Sequence, residues 1–239
     1  MLEALGRELS ELPAENPLFG VTLTVFAYVV AAAFQRLLGG AALVHPVLVS
    51  ALLVGSVLVV TGIDYEIYFI QVFPLHVALG LVVTLFAVPL FRQLSAIHDA
   101  RTALGTALLV GGVTALATSV AWPLLANAAT ETLATLAPRA STTAFAVQIS
   151  EAGGGVAAIT ALIVVSTGVA GAVIGPPLLH AAGVVDHRAV GFALGVASHA
   201  IGTARAFQIS EVAGAFSTLG MILNAILTAI LVPILLYVI

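Results

Sequence analysis

Ala197-Ser198-His199-Ala200-Ile201-Gly202-Thr203-Ala204-Arg205-Ala206 sets a histidine, two hydroxyls, a glycine and an arginine inside an apolar stretch long enough to span a bilayer. Ionisable groups at bilayer depth cost about 2.5–3.5 kcal/mol each on insertion scales, so a chain keeps them where they line a pathway, meet a partner or hold a ligand. The competing reading is a helix end whose Arg205 snorkels to the headgroups. Either way, this run is the first candidate for function, and its surroundings decide the fold.

Those surroundings are lipid-compatible. The 239 residues are 61% hydrophobic and 8% charged, with mean hydropathy +1.20, which is outside the soluble globular range and inside that of integral membrane proteins. No charge falls in residues 16–35, 37–63, 67–91, 102–130, 152–185, 189–204 or 212–239. These gaps are continuous runs of Leu, Val, Ala and Gly near the ~20 residues of a transmembrane helix, and they lack the alternation of a barrel strand. There is no cysteine, so disulfides, thiolate metal sites and thiol nucleophiles are excluded. Residues 1–16 carry Glu3, Glu8, Glu11 and Glu15 against Arg7, unlike the basic start of a cleaved signal peptide.

The chain thus reads as an acidic segment, 1–16, and one membrane domain, 17–239, all-α and polytopic. Spans are expected at 17–36, 43–61, 72–91, 103–126, 156–180, 188–207 and 212–238, giving seven crossings. With Arg36, Arg92, Arg101 and Arg188 in the cytoplasm, the N-terminus lies outside and the C-terminus inside. The eleven residues between Arg139 and Glu151 reach only about 16 Å as a helix. They read as a re-entrant half-helix over 138–154, with Pro138 in its first turn, Ser141, Thr142 and Thr143 serving its orphan N–H groups, and Gly153-Gly154-Gly155 turning the chain back. The alternative is a full span over 132–152 with Arg139 buried.

The re-entrant reading makes spans two to four (43–126) and the remainder (138–238) inverted-topology repeats, as in many secondary carriers. Ala78-Leu79-Gly80 and Ala193-Leu194-Gly195 echo each other weakly, and Gln148-Ile149-Ser150-Glu151 recurs as Gln208-Ile209-Ser210-Glu211. Pro89 and Gly202 are expected to interrupt the third and sixth spans, so that broken helices cross near the midplane. Gly171-x-x-x-Gly175 and Gly191-x-x-x-Gly195 read as close helix packing. Trp122, Tyr65, Tyr68 and Tyr237 suit interfacial positions.

Arg139 and Arg205 are the two cations that the loops do not need. A guanidinium holds a carboxylate through paired hydrogen bonds, and helix N-termini at breaks add positive potential. Ser141, Thr142, Thr143, Ser198 and Thr203 supply hydroxyls for the rest of an anion, although a hydroxyl in a helix commonly bonds its own i−4 carbonyl. His199 is the candidate proton carrier, with a satisfied packing histidine as the alternative. No span holds a central Asp or Glu, which argues against a carboxylate cage for a cation. Nucleotide-loop, zincin and nucleophile-elbow motifs are absent, so neither an enzyme nor a cofactor protein is expected.

The C-terminal half resembles the LrgB/CidB family, antiholin-like membrane proteins whose plant plastid relatives carry glycolate and glycerate. The likeness rests on Ala137-Pro138-Arg139-Ala-Ser-Thr-Thr-Ala144, Ile149-Ser150 with Gly153-Gly154, Thr160-Ala161, Thr167-Gly168, Gly171-Ala172, Gly214-Ala215 and, above all, Gly195-Val-Ala-Ser-His-Ala-Ile-Gly-Thr-Ala-Arg-Ala206. Phe86-Ala-Val-Pro-Leu-Phe-Arg-Gln93 extends it upstream, so that it covers about 40–236. Arg139 stands where the family commonly has Lys, and Leu79-Gly-Leu-Val-Val83 lacks the family's Gly-Pro break.

What the resemblance implies is transport or lysis control. The expectation is a carrier of small 2-hydroxy- or 2-oxo-monocarboxylates in the cell membrane, working by alternating access, with Arg139 and Arg205 on the carboxylate and no metal or nucleic acid involved. Its rivals are a regulator of murein hydrolase release acting through a small holin-like LrgA/CidA-type partner, and a passive pore. A homo-oligomer is expected in each case.

Overall fold

The computed structural model describes residues 16–38, 46–85 and 87–238, all of their regular structure helical. The acidic segment, apart from residue 16, lies outside the described residues, as does the start expected for the second span. Among the described residues, four helices are long and apolar enough to cross a membrane: Phe19–Leu37, Arg101–Leu125, Ala157–Ala181 and Glu211–Val238. The chain is a multi-pass helical membrane protein.

It forms two compact units, divided after Leu85. The first holds α1 (Phe19–Leu37), α2 (Pro46–Thr61), α3 (Tyr65–Gln71) and α4 (Phe73–Leu85). Asp64 caps α3 by accepting from the Glu66 N–H at 2.8 Å. Gln71 Oε1 accepts from the Gly20 N–H at 3.0 Å, and the Thr24 and Tyr68 hydroxyls meet at 2.7 Å, which fastens α3 to the start of α1.

The second unit runs through α5 (Ala87–Arg92), α6 (Leu94–Asp99), α7 (Arg101–Leu125), α8 (Thr130–Leu136), a 3₁₀ turn (Ala137–Ala140), α9 (Thr143–Ala152), α10 (Ala157–Ala181), α11 (His187–Ile209) and α12 (Glu211–Val238). The third expected span is covered by α4, up to Leu85, and α5, from Ala87, with residue 86 outside the described residues. Pro89 lies within the helical residues 87–92. That position is not near the middle of the unit, because Arg92, at the end of α5, pairs with Glu211 at the start of α12 (3.1 Å).

The α8–α9 segment folds back on itself. The loop after α9 returns beside α8: a Cβ at Gly153 would lie 3.2 Å from Ala134 Cβ, and one at Gly155 would lie 2.7 Å from the Thr135 N. Thr135 Oγ1 accepts from the Val156 N–H at 2.9 Å, and the buried Thr160 hydroxyl reaches Thr135 O (3.0 Å) and Ser150 Oγ (2.7 Å). Gly154, at φ +78°, makes the turn that the glycine run announced. The chain thus doubles back between α8 and α10. The expected hydroxyl caps are not made: Thr142 occupies the N-cap position of α9 without a side-chain bond, and Ser141 Oγ has no partner.

Two corrections concern the sixth expected span. Its break lies at His199 (φ 42°, ψ −128°), not at Gly202, and the helix does not run on. Residues 200–209 turn back along 187–198: Gly202 sits against the Leu194 carbonyl, and Ala206 packs with Val190 and Leu194. The glycine gives the two arms room to touch, while the histidine bears the strained backbone. α11 is therefore a second hairpin. A non-glycine residue in that conformation costs about 1–3 kcal/mol and persists only where packing enforces it.

The long helices frame both hairpins. Leu104 of α7 and Phe216 of α12 pack with Phe192 and Val196 of the second hairpin, whereas Val120 and Val232 of the same helices pack with Leu133 and Ala137 of the first. The hairpins thus enter from opposite ends of α7 and α12, and their tips meet midway. Small residues let α11 and α12 close together, since Gly191 and Gly195 face the Ala213 and Ser217 backbone.

Candidate functional site

The tips converge on Asn224, halfway along α12 and fully buried. Its Nδ2 donates to Ala140 O of the first hairpin at 2.7 Å and to Val196 O of the second at 3.2 Å. Because both neighbours are carbonyls, the amide's orientation is fixed and each N–H holds one tip. Among the described residues, the buried side-chain atoms without a hydrogen-bond partner are Ser141 Oγ, Ser198 Oγ, His199 Nε2 and Asn224 Oδ1. All four lie on the two tips or on the residue joining them. A buried polar group left unpaired costs about 1–3 kcal/mol, so their concentration at one junction makes it the candidate site.

His199 packs across α10, with Gly168 directly beneath its ring (a Cβ there would lie 2.9 Å from Cε1), and the Arg139 backbone is within hydrogen-bonding reach of the ring. Ser198 Oγ lies against Gly171, so the first glycine of that expected packing pair makes room for a tip residue.

Arg139 projects from the turn of the first hairpin toward α7. It is half-buried; its Nε donates to Ser119 Oγ at 2.7 Å and its Nη2 to Thr118 Oγ1 at 2.9 Å. No carboxylate pairs with it among the described residues. Helix α9 and the returning arm of α11 both begin at the tips, adding the positive end of two helix dipoles. A guanidinium without a counter-ion, two helix N-termini and free hydroxyls make an environment for an anion.

The structure therefore places Arg139, Ser141, Ser198 and His199 on the two tips, the Arg139 side chain against α7 and those of Ser198 and His199 against α10, and leaves the others apart. Thr142 and Thr143, partly buried, open the returning arm of the first hairpin. Thr203 is buried, but its hydroxyl meets Ser217 Oγ at 2.9 Å inside the α11–α12 contact. Arg205 is exposed on the returning arm, where Nη1 donates to Gln208 Oε1 at 2.9 Å. Asn224, Thr118 and Ser119 were not singled out from sequence. A lone Asn in an apolar 28-residue helix was the available signal for the first.

A stronger signal lay in the hairpins themselves. Residues 137–151 and 197–211 align without a gap at an offset of 60, with nine of fifteen positions identical. The recurring Gln-Ile-Ser-Glu is the end of this longer match, which pairs Arg139 with His199, tip with tip.

The profile of the LrgB-like family matches residues 24–238. Holin-like protein CidB of Staphylococcus epidermidis is 32% identical over 215 residues, covering 90% of this chain and 93% of that protein. Its Staphylococcus aureus counterpart is 30% identical with the same coverage, and an uncharacterized protein of Bacillus subtilis, YwbG, is 33% identical over 80% of this chain and 85% of its own. No solved structure matches the chain.

Proposed function

We propose a carrier of small organic anions, from the premise that the chain belongs to the LrgB-like family. Its substrates are monocarboxylates of the glycolate, glycerate, lactate or pyruvate kind, moved across the cell membrane by alternating access between the two hairpin tips. One observation carries this reading: an arginine with no acidic partner stands where two opposed, broken helices meet at the middle of the unit. Backbone interrupted at that depth is tolerated where it is enclosed by protein or lines a solute path. Arg139 takes the carboxylate, Ser141 and Ser198 contact the remainder, and His199 is the site for a coupled proton.

In liposomes containing the purified protein, saturable uptake of one of these acids is expected, and Arg139→Ala should lower it about 10- to 100-fold, the worth of a charge-assisted pair. Arg205→Ala, on an exposed side chain, should lower it less. Absence of saturable uptake, or indifference to Arg139→Ala, would sink the reading.

The hairpins also revise the membrane path. With neither hairpin crossing, six crossings remain: α1, α2, α7, α10, α12 and the span expected from sequence at 72–91. Arg36, Arg92, Arg101 and Arg188 stay cytoplasmic, and the C-terminus joins the N-terminus outside. Single cysteines introduced at Glu131 and Glu151 should label from outside, and those at Asp186 and Glu211 from the cytoplasm. Labelling of 186 and 211 from opposite sides would restore a crossing α11.

The names of the relatives speak for a second reading, and more directly than for the first. In it the protein acts as a holin-like regulator of murein hydrolase release, assembled as a homo-oligomer or with a small membrane partner. A scan of point variants separates the two. Loss of function concentrated at 139–141 and 198–199 supports transport, and a stripe along outward-facing helix surfaces supports assembly.

A further inference from the structure

We infer that Thr118 and Ser119 of α7 are positioning residues that present Arg139 to a planar carboxylate, an inference that rests on the anion-carrier reading. Each hydroxyl already has a place for its proton. Ser119 Oγ donates to Ala115 O at 2.6 Å, and Thr118 Oγ1 lies 2.8 Å from Thr114 O and 3.0 Å from Ala115 O. With their protons directed at the helix backbone, the two oxygens face Arg139 as acceptors, which is the role that its N–H groups require.

They engage one edge of the guanidinium, the Nε and Nη2 side. The other edge, formed by Nη1 and the second proton of Nη2, has no partner among the described residues, and this pair of parallel N–H groups matches the two oxygens of a carboxylate. Neutral acceptors were needed for this arrangement. A carboxylate at position 118 or 119 would orient Arg139 equally well and cancel the charge that draws the substrate. An ammonium could not do both jobs, because it has no second edge to offer once two hydroxyls hold it.

The test uses the full-length protein, with uptake in liposomes and with the single tryptophan, Trp122, as a binding reporter one turn along α7 from the two hydroxyls. Ser119→Ala with Thr118→Val should raise KM for the carboxylate about five- to twenty-fold with kcat nearly unchanged, and should weaken the quenching of Trp122 by the same acid in parallel. Ser119→Thr should restore most of the affinity. In an Arg139→Lys background the pair of substitutions should not weaken binding further, which a merely structural role would not produce. An unchanged KM in the double variant, or an equal loss in the lysine background, overturns the inference and leaves the carrier reading standing if Arg139→Ala still abolishes uptake. Uptake unaffected by Arg139→Ala overturns both.

Discussion

Gly195→Ala is expected to prevent the chain from reaching a stable fold. A methyl group there would run into the carbonyl oxygen of Ser217 and lie 2.8 Å from Ser217 C and 2.9 Å from Met221 N. These are backbone atoms of a helix, so no side-chain rotation relieves the clash. α11 and α12 must separate, and with them go the Phe192–Phe216 contact below and the Thr203–Ser217 bond. Overpacking of this kind costs about 1–3 kcal/mol where neighbours can adjust, and more where they cannot. Thermal unfolding in detergent, followed by loss of the monodisperse species, should show a large drop in midpoint. Gly55→Ala is the control: nothing lies within 4 Å of a Cβ at that site in α2, so the substitution should be neutral or slightly stabilising. Equal midpoints for the two variants would mean that the helices do not meet as described.

Asn224→Asp should be the most damaging isosteric change in the molecule. The wild-type amide gives one N–H to each hairpin tip, at Ala140 O and Val196 O. An ionised Asp has no proton to give and sets a negative charge against two carbonyl oxygens at a fully buried site, so both tips lose their tie and are repelled. Asn224→Leu is milder. It orphans the same two carbonyls, at about 1–3 kcal/mol each, but it also removes Oδ1, which has no partner of its own. The expected order of stability is wild type, then Leu, then Asp, with uptake lost in both variants because the tips no longer register against each other. Leucine at least as stable as asparagine, with uptake intact, would show that the amide does not hold the tips.

Much of the architecture was legible in the residues. Apart from the sixth span and the start of the second, the outer ends of the expected spans lie within about three residues of described helix ends, because charges mark where lipid ends and apolar runs mark where it begins. The return of the first hairpin was readable from a segment too short to cross and the glycines after it. The fold-back of α11 was not. Local rules place a break at the residue freest to make one, and that was Gly202, whereas the chain turns at His199, whose ring lies against Gly168 of α10. The same limit hid Asn224, whose partners lie 84 and 28 residues away. It hid the hydroxyls of Thr118 and Ser119 as well, since their nearest sequence role is to bond their own helix.

The sequence by itself determined that this chain lives in lipid as helices, where most of the long helices run, that Gly171, Gly175, Gly191 and Gly195 are pressed against a neighbour, and that a guanidinium and an imidazole lie on two related segments. Tertiary structure alone decided that those segments are opposed hairpins, that their tips meet on one amide, and that Arg139 rather than Arg205 stands at the meeting point, with no carboxylate beside it among the described residues. The physical reason is one of range. Solvation and backbone propensity act through composition and near neighbours, and are written along the chain, while the turn at a strained residue and the partner of a buried polar atom depend on what distant segments bring to the same place.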